Sequence, residues 1–209
     1  YEHLSRSRAR FAAGVEPAPE IPRRLGVDVA RFGDDSTRIW VARGPKVFRP
    51  TGGVIHKADG KTVALRAIEI AKEWGAVSIA VDTGGVGASV VDTLNDEQEA
   101  GRLAPDVEIL VNDFGAKATD PAEWADRRTE LWWRLRDWLR DEAAFDPDDG
   151  VEEELLAPTY RFSGRSKRLE PKDRIKARIG RSPDDADAIA LAVGGHVGRT
   201  SSVPRLSVW

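Results

Sequence analysis

The 209-residue chain has no cysteine and no methionine, only three histidines, and no apolar run long enough to span a bilayer. Without cysteine there is no disulfide framework, no thiolate nucleophile and no zinc-thiolate site, so any metal must be held by oxygen or imidazole ligands. His3, His56 and His196 are too scattered to suggest an imidazole triad. The chain shows no charged-then-apolar leader, which argues against secretion, and a start at Tyr1 without any methionine suggests an excised domain. It also lacks an excess of either charge: 32 Lys+Arg stand against 35 Asp+Glu, a net of −3, with 41% hydrophobic residues. That composition excludes disorder, collagen and a membrane span, and the length suits one domain with a sizeable core.

Residues 1–22 carry Arg6, Arg8 and Arg10 followed by Pro17, Pro19 and Pro22, which reads as a basic, proline-punctuated linker, so that the fold starts near Arg23. Arg24 to Ala30 and Thr37 to Ala42 read as strands on either side of a polar turn. A third strand is expected from Lys46 to Ile55, interrupted at Gly52-Gly53. Val63, Ala67, Ile70, Ala71 and Trp74 then recur at helical spacing, Gly75 stops that helix, and Val77 to Val81 is a buried strand. A helix from Gly87 to about Asn95, a strand at Val107 to Val111, and a helix from about Ala122 to Ala143 follow. The order β-β-β-α-β-α-β-α predicts an antiparallel meander followed by α-β units: a mixed sheet with helices on its faces. Trp124, Trp132 and Trp138 fall on the apolar stripe of this Ala122 to Ala143 helix, where tryptophan signifies packing rather than base stacking.

The conspicuous residues are acids in apolar surroundings. Asp28 sits inside Leu25-Gly26-Val27-Asp28-Val29, and Asp82 ends Ile79-Ala80-Val81-Asp82. A strand interior is where a carboxylate is costly to desolvate without a partner. A third group opens the last helix, Ser182-Pro183-Asp184-Asp185-Ala186-Asp187, with Ser182 expected as cap and Pro183 as the first helical residue. Compensation of the helix dipole explains Asp184 and Asp185 well and Asp187 less well, since Asp187 lies beside the apolar Ile189-Ala190-Leu191. Convergent carboxylates without thiolate or imidazole suit hard divalent cations such as Mg²⁺ or Mn²⁺, and two such ions can support phosphodiester hydrolysis.

The near-neutral total hides two opposed segments. Arg165 to Arg181 holds eight basic residues against two acids, a net of +6, directly before the third acidic group; Asp120 to Glu154 holds thirteen acids against five arginines, a net of −8. A basic run beside a carboxylate site suits the phosphate backbone of a nucleic acid, although such runs are commonly solvated faces. Arg165, Lys167, Arg168, Lys172, Arg174, Lys176 and Arg178 are therefore the candidate DNA-binding residues.

Gly26-Val27-Asp28 with Asp34 six residues on, Ala80 to Gly87, the tryptophan-rich helix from Arg127 to Leu139, and Ser182 to Ala188 together resemble the C-terminal nuclease domain of tailed-bacteriophage large terminase subunits. The likeness covers residues 23–195. It implies an α/β, ribonuclease H-like fold: a mixed five-stranded sheet of order 3-2-1-4-5, with strand 2 antiparallel, flanked by helices. In that order the first and fourth strands are neighbours. By the same resemblance, Asp28, Asp82 and Asp187 would be the catalytic and metal-binding acids of a two-Mg²⁺ or two-Mn²⁺ site, with Asp34 and Asp184 as auxiliary ligands, and Asp184 or Asp185 able to share or replace the role of Asp187. The implied activity is cutting of concatemeric double-stranded DNA during genome packaging in the host cytoplasm. The implied partners are an ATPase domain, a small terminase subunit and a portal. No Gly-x-x-x-x-Gly-Lys-Ser/Thr occurs in the chain, so residues 1–22 would be the linker from that ATPase, and 23–209 the nuclease domain with a short C-terminal tail.

Three other readings remain open at this level: a Holliday-junction-resolvase-like nuclease, half of a sugar-kinase or actin-like ATPase, and a catalytically idle DNA-docking module. The ATPase reading needs two such domains, and the length supplies one.

Overall fold

A computed structural model describes residues 1–30 and 36–197. Asp34 lies outside the described residues. Helix α1 (Glu2–Ala12) leads into strands β1 (Arg23–Asp28), β2 (Ser36–Arg43), β3 (Lys46–Phe48) and β4 (Val54–His56), followed by α2 (Gly60–Trp74), β5 (Ala76–Asp82), α3 (Gly87–Glu99) and β6 (Glu108–Asn112). Then come α4 (Arg127–Asp141), α5 (Asp149–Leu156), the hairpin β7 (Tyr160–Ser163) and β8 (Ser166–Leu169), α6 (Lys172–Ile179) and α7 (Asp184–Gly194). Among the described residues no helix is long and apolar enough to cross a membrane.

The main sheet runs β3-β2-β1-β5-β6. β1 pairs antiparallel with β2 and parallel with β5, and β5 pairs parallel with β6. This mixed sheet flanked by helices is the expected architecture, with one difference. The third strand is broken at Gly52-Gly53 into β3 and β4, each of which pairs with β2, so the sheet has six strands rather than five. Gly52 has φ +69°, a left-handed conformation that glycine adopts without steric cost, and it turns the chain between the two pieces.

Side-chain alternation along β1 and β5 divides the core in two. Leu25, Val27, Ile79 and Val81 face α2 and α3, where Val63, Ala67, Ile70, Val90 and Leu94 complete one apolar layer. Ala80 faces the opposite side, where α7 and α4 pack through Ile189, Leu191, Leu131, Leu135 and Trp138. Gly26 lies on that second face: a Cβ there would overlap the Ala188 carbonyl oxygen and the Ala192 amide nitrogen. Only glycine lets the α7 backbone approach β1 so closely. We expect Gly26→Ala to destabilise the domain by about 3 kcal/mol in urea unfolding, because backbone rather than a flexible side chain must move. An unchanged midpoint would show that the approach is not tight.

Other expected boundaries shift. The segment expected to be a linker begins with α1, which docks on the domain: Leu4 is buried, Arg8 pairs with Glu152 and Asp146, and Arg10 donates to the carbonyls of Leu139 and Ala143. Sparse apolar residues concealed it, because arginine contacts rather than a wide apolar stripe hold it. The long helix starts at Arg127, not Ala122, since the Asp126 carboxylate caps it by accepting from the Thr129 N–H. Trp124 therefore lies outside that helix and bridges to Lys167 of β8. α3 extends to Glu99, and α7 begins at Asp184 with Pro183 in the cap position and no side-chain cap from Ser182.

Candidate metal centre

Asp28 and Asp82 end adjacent parallel strands, two residues beyond Gly26 and Ala80 respectively, so alternation turns both toward the α7 side of the sheet. The close approach at Gly26 brings the first turn of α7 over the same strand ends. Three carboxylates then converge on one ammonium: Lys172 Nζ, on the first residue of α6, lies 2.9 Å from Asp28 Oδ2, 2.9 Å from Asp184 Oδ1 and 3.1 Å from Asp187 Oδ2. Asp82 lines the same pocket, together with Gly84, Phe114 and Arg128. Four acids expected from the sequence are thus brought together. Asp185, three residues from the pocket's Ser182, turns away, accepting a 2.7 Å hydrogen bond from Trp40 Nε1 and pairing with Arg38 and Arg49.

The acids are not equivalent. Asp187 is fully buried, and both its oxygens are occupied: Oδ1 accepts from Trp132 Nε1 at 2.6 Å and from Arg128 Nε at 3.0 Å, and Oδ2 accepts from Arg128 Nη2 at 3.2 Å. Burial alone would raise its pKa, but Arg128, Lys172 and Trp132 hold it below the ordinary aspartate value. Burial pushes Asp28 well above that value, with Lys172 opposing and Asp187 and Asp184 adding to the rise. Asp82 is also raised by burial, although it accepts from the Phe114 and Gly84 N–H groups. Burial would lower the Lys172 pKa, yet the three surrounding carboxylates raise it well above that of an ordinary lysine. The lysine therefore keeps its proton among these carboxylates.

Arg128 and Trp132 are the residues that sequence reading missed. They sit one helical turn apart on α4, on the face turned to α7, and an arginine four residues before a tryptophan of an apolar stripe was the available signal. Trp132 packs as expected, but its indole N–H also orients Asp187.

A further carboxylate holds the helix that carries these acids. Glu154 of α5, only 3% exposed, accepts from the Ala186 N–H at 3.1 Å and from Arg181 Nε at 3.2 Å. Burial and the nearby Asp185 push its pKa up to about 7 from 4.5. The folded state therefore retains a proton that the unfolded chain releases, so this contribution is complete below pH 4.5 and is lost as pH rises through about 7. We expect wild-type stability to fall by on the order of 3 kcal/mol from this group between pH 4.5 and pH 8, and Glu154→Gln to flatten that slope. Urea midpoints across this range measure it, and parallel slopes would refute the assignment.

The candidate basic residues scatter. Lys172 enters the acid pocket. Lys167 pairs with Glu123, Arg178 with Glu170, and Arg168 lies 3.7 Å from Asp126. Arg181 pairs with Glu153 and Glu154. Glu123, Asp126, Glu153 and Glu154 belong to the acidic segment, so the two opposed segments neutralise each other in part. Lys176 lines the acid pocket, and Arg165 and Arg174 are exposed. The three histidines lie outside the pocket.

Among the described residues no three carboxylate or imidazole groups stand, as they are placed here, where they could hold a metal ion together. The pocket nevertheless offers the oxygen donors a hard divalent cation takes: carboxylates of β1 and α7 gathered around a positive charge, with Asp82 of β5 on the same pocket wall. The donor set fits such an ion in place of, or beside, the ammonium.

No family model and no curated protein matches the sequence. Solved structures do match. The nuclease domain of the large terminase subunit gp2 of bacterial virus Sf6, in a variant form with manganese and β-thujaplicinol, superposes with a TM-score of 0.72 at 17% identity, covering 92% of this chain and 96% of that one. The large terminase nuclease from thermophilic phage G20c with bound magnesium gives 0.55 at 16% identity, over 85% and 83% of the two chains. The HK97 bacteriophage large terminase gives 0.52 at 15% identity, over 90% of this chain and 42% of that one. The chain has the fold shared by the nuclease domains of phage large terminase subunits.

Proposed function

We propose that the chain is the metal-dependent endonuclease domain of a viral genome-packaging terminase, acting on concatemeric double-stranded DNA. The observation that carries this reading is the convergence of Asp28, Asp82 and Asp184 from β1, β5 and α7 on one pocket, with Asp187 meeting the pocket's Lys172 from beneath. Neighbours of the same fold are nucleases whose structures hold manganese or magnesium. By this reading the ATPase domain, small subunit and portal are partners in the host cytoplasm, and residues 1–22 connect to the ATPase.

Asp28, Asp82 and Asp184 would hold two Mg²⁺ or Mn²⁺ ions, with Asp187 contributing through the oxygen it turns to Lys172. When bound, such ions lower the pKa of a water and neutralise charge on the phosphodiester and its leaving oxygen. The protein's own part is orientation. Arg128 and Trp132 fix Asp187, the Gly84 and Phe114 amides fix Asp82, and Gly26 sets the distance between α7 and the strands. The Lys172 ammonium balances the carboxylates whenever no divalent ion does so.

The test is plasmid cleavage by the purified chain with Mn²⁺ or Mg²⁺, compared with Asp28→Asn and Asp82→Asn. Metal-dependent cutting by the wild type alone supports the reading. Equal cutting by all three would mean a contaminant, and ATP binding without cutting would favour the kinase-like alternative.

A further inference from the structure

The hairpin β7–β8 and helix α6 frame a second cleft, distinct from the acid pocket. Register pairs Arg161 directly with Arg168 and Phe162 with Lys167. The two sides of this ribbon therefore differ. Lys167 lies 5.6 Å from the centre of the Trp133 ring, and Tyr160 meets Trp133 edge-on at 4.8 Å, so the Tyr160, Phe162 and Lys167 side is turned to α4. Arg161 and Arg168 share the other side, as like charges directly across a strand pair, an arrangement that is destabilising unless something negative lies between or beside them.

The fold supplies little that is negative. Arg168 has Asp126 at 3.7 Å, beyond hydrogen-bond length, and Arg161 and Arg174 pair with no carboxylate among the described residues. All three line a cleft of about 270 Å³ with Glu170 and Pro171. The Glu170 carboxylate is already engaged by Arg178 and by the Thr159 N–H and hydroxyl, so it does not answer this charge. Three guanidinium groups around an open cleft match the oxygens of a phosphate, which arginine grips with two donors at once.

The position of the cleft gives it meaning. α6 stands between the two sites: Lys172, Asp173 and Lys176 line the acid pocket, and Arg174 lines the arginine cleft. We infer that Arg161, Arg168 and Arg174 form a binding site for a non-scissile DNA phosphate, across α6 from the bond at the acid pocket. This rests on the nuclease reading for its register but not for the binding itself. Arg161 lies outside the basic run that the sequence marks out, and only strand pairing brings it to Arg168.

The experiment is binding of a fluorescent 20-base-pair duplex to the full chain in EDTA, across a sodium chloride series. Arg161→Ala and Arg174→Ala should each weaken binding and reduce the slope of log K against log salt by about 1, the loss of one phosphate contact. Arg161→Lys should restore the slope without restoring full affinity. Arg102→Ala, on a residue paired with Glu97 between α3 and β6, should match the wild type, and circular dichroism checks that each variant is folded. A wild-type slope in both folded alanine variants overturns the cleft. If the wild type cuts DNA and those variants bind normally, the nuclease reading stands and the cleft falls. Reduced slopes with no metal-dependent cutting by the wild type leave the cleft and remove the nuclease reading.

Discussion

Asp28→Asn is expected to lower metal-dependent DNA cleavage by about 10²–10³-fold while the protein stays folded, the cost of removing a single group that stabilises charge at a reacting centre. Asp28 is 3% exposed, sits between β1 and α7, and shares one ammonium with Asp184 and Asp187. Asparagine preserves the shape but removes a carboxylate from a place where three face one another, so the fold gains relief from repulsion as it loses a ligand. The melting temperature should stay level or rise while the nicking rate collapses. A rate within tenfold of wild type, in a folded variant, would remove Asp28 from the chemistry. Because burial raises the Asp28 and Asp82 pKa values, divalent-ion binding should weaken toward acid pH, as these carboxyls hold their protons longer than exposed ones.

Lys172→Ala is expected to have the largest effect on stability and the opposite effect on ion binding. Without the ammonium, Asp28, Asp184 and Asp187 face each other, with Arg128 still paired to Asp187. Breaking a buried ionic cluster by removing one sign costs about 3–5 kcal/mol, or roughly 10 °C for a domain of this size. Mn²⁺ should recover much of this loss, and should stabilise the variant more than the wild type, in which the lysine already occupies the acids. Thermal melts with and without Mn²⁺ measure both quantities. Equal melting temperatures in EDTA would show that Lys172 is not the counterion of the cluster. The sequence placed Lys172 among surface cations for DNA, but it lies inside the acid pocket, so its neutralisation reads out ion binding before it reads out DNA affinity.

Much of the sheet was legible because its signals are local. Alternation in Leu25 to Asp28 and Ile79 to Asp82, the Gly75 stop, and helical spacing in Val63 to Trp74 depend on residues close in the chain. What failed had no local signature. α1 has few apolar residues and is held by Arg8 and Arg10 reaching carboxylates and carbonyls more than 120 residues away. The break of the third strand depends on both pieces finding β2. The basic run from Arg165 to Arg181 was visible as charge, but its partners Glu123, Asp126, Glu153 and Glu154 lie on other elements.

The sequence by itself pointed to carboxylates as the candidate reactive groups, since it offers no thiol and no cluster of histidines, and it singled out the strand ends and helix turn on which they lie. Only the tertiary structure decided how those acids differ. Arg128 and Trp132 take both oxygens of Asp187, Trp40 with Arg38 and Arg49 draws Asp185 away, and Lys172 stands among Asp28, Asp184 and Asp187. The reason is physical: a carboxylate's affinity for a cation depends on its burial and on which donors already satisfy its oxygens, and those donors come from across the fold. The net charge of −3 likewise said nothing about where charge is left unanswered. Strand pairing and helix packing joined many of these charges across the fold and set Arg161, Arg168 and Arg174 around one cleft.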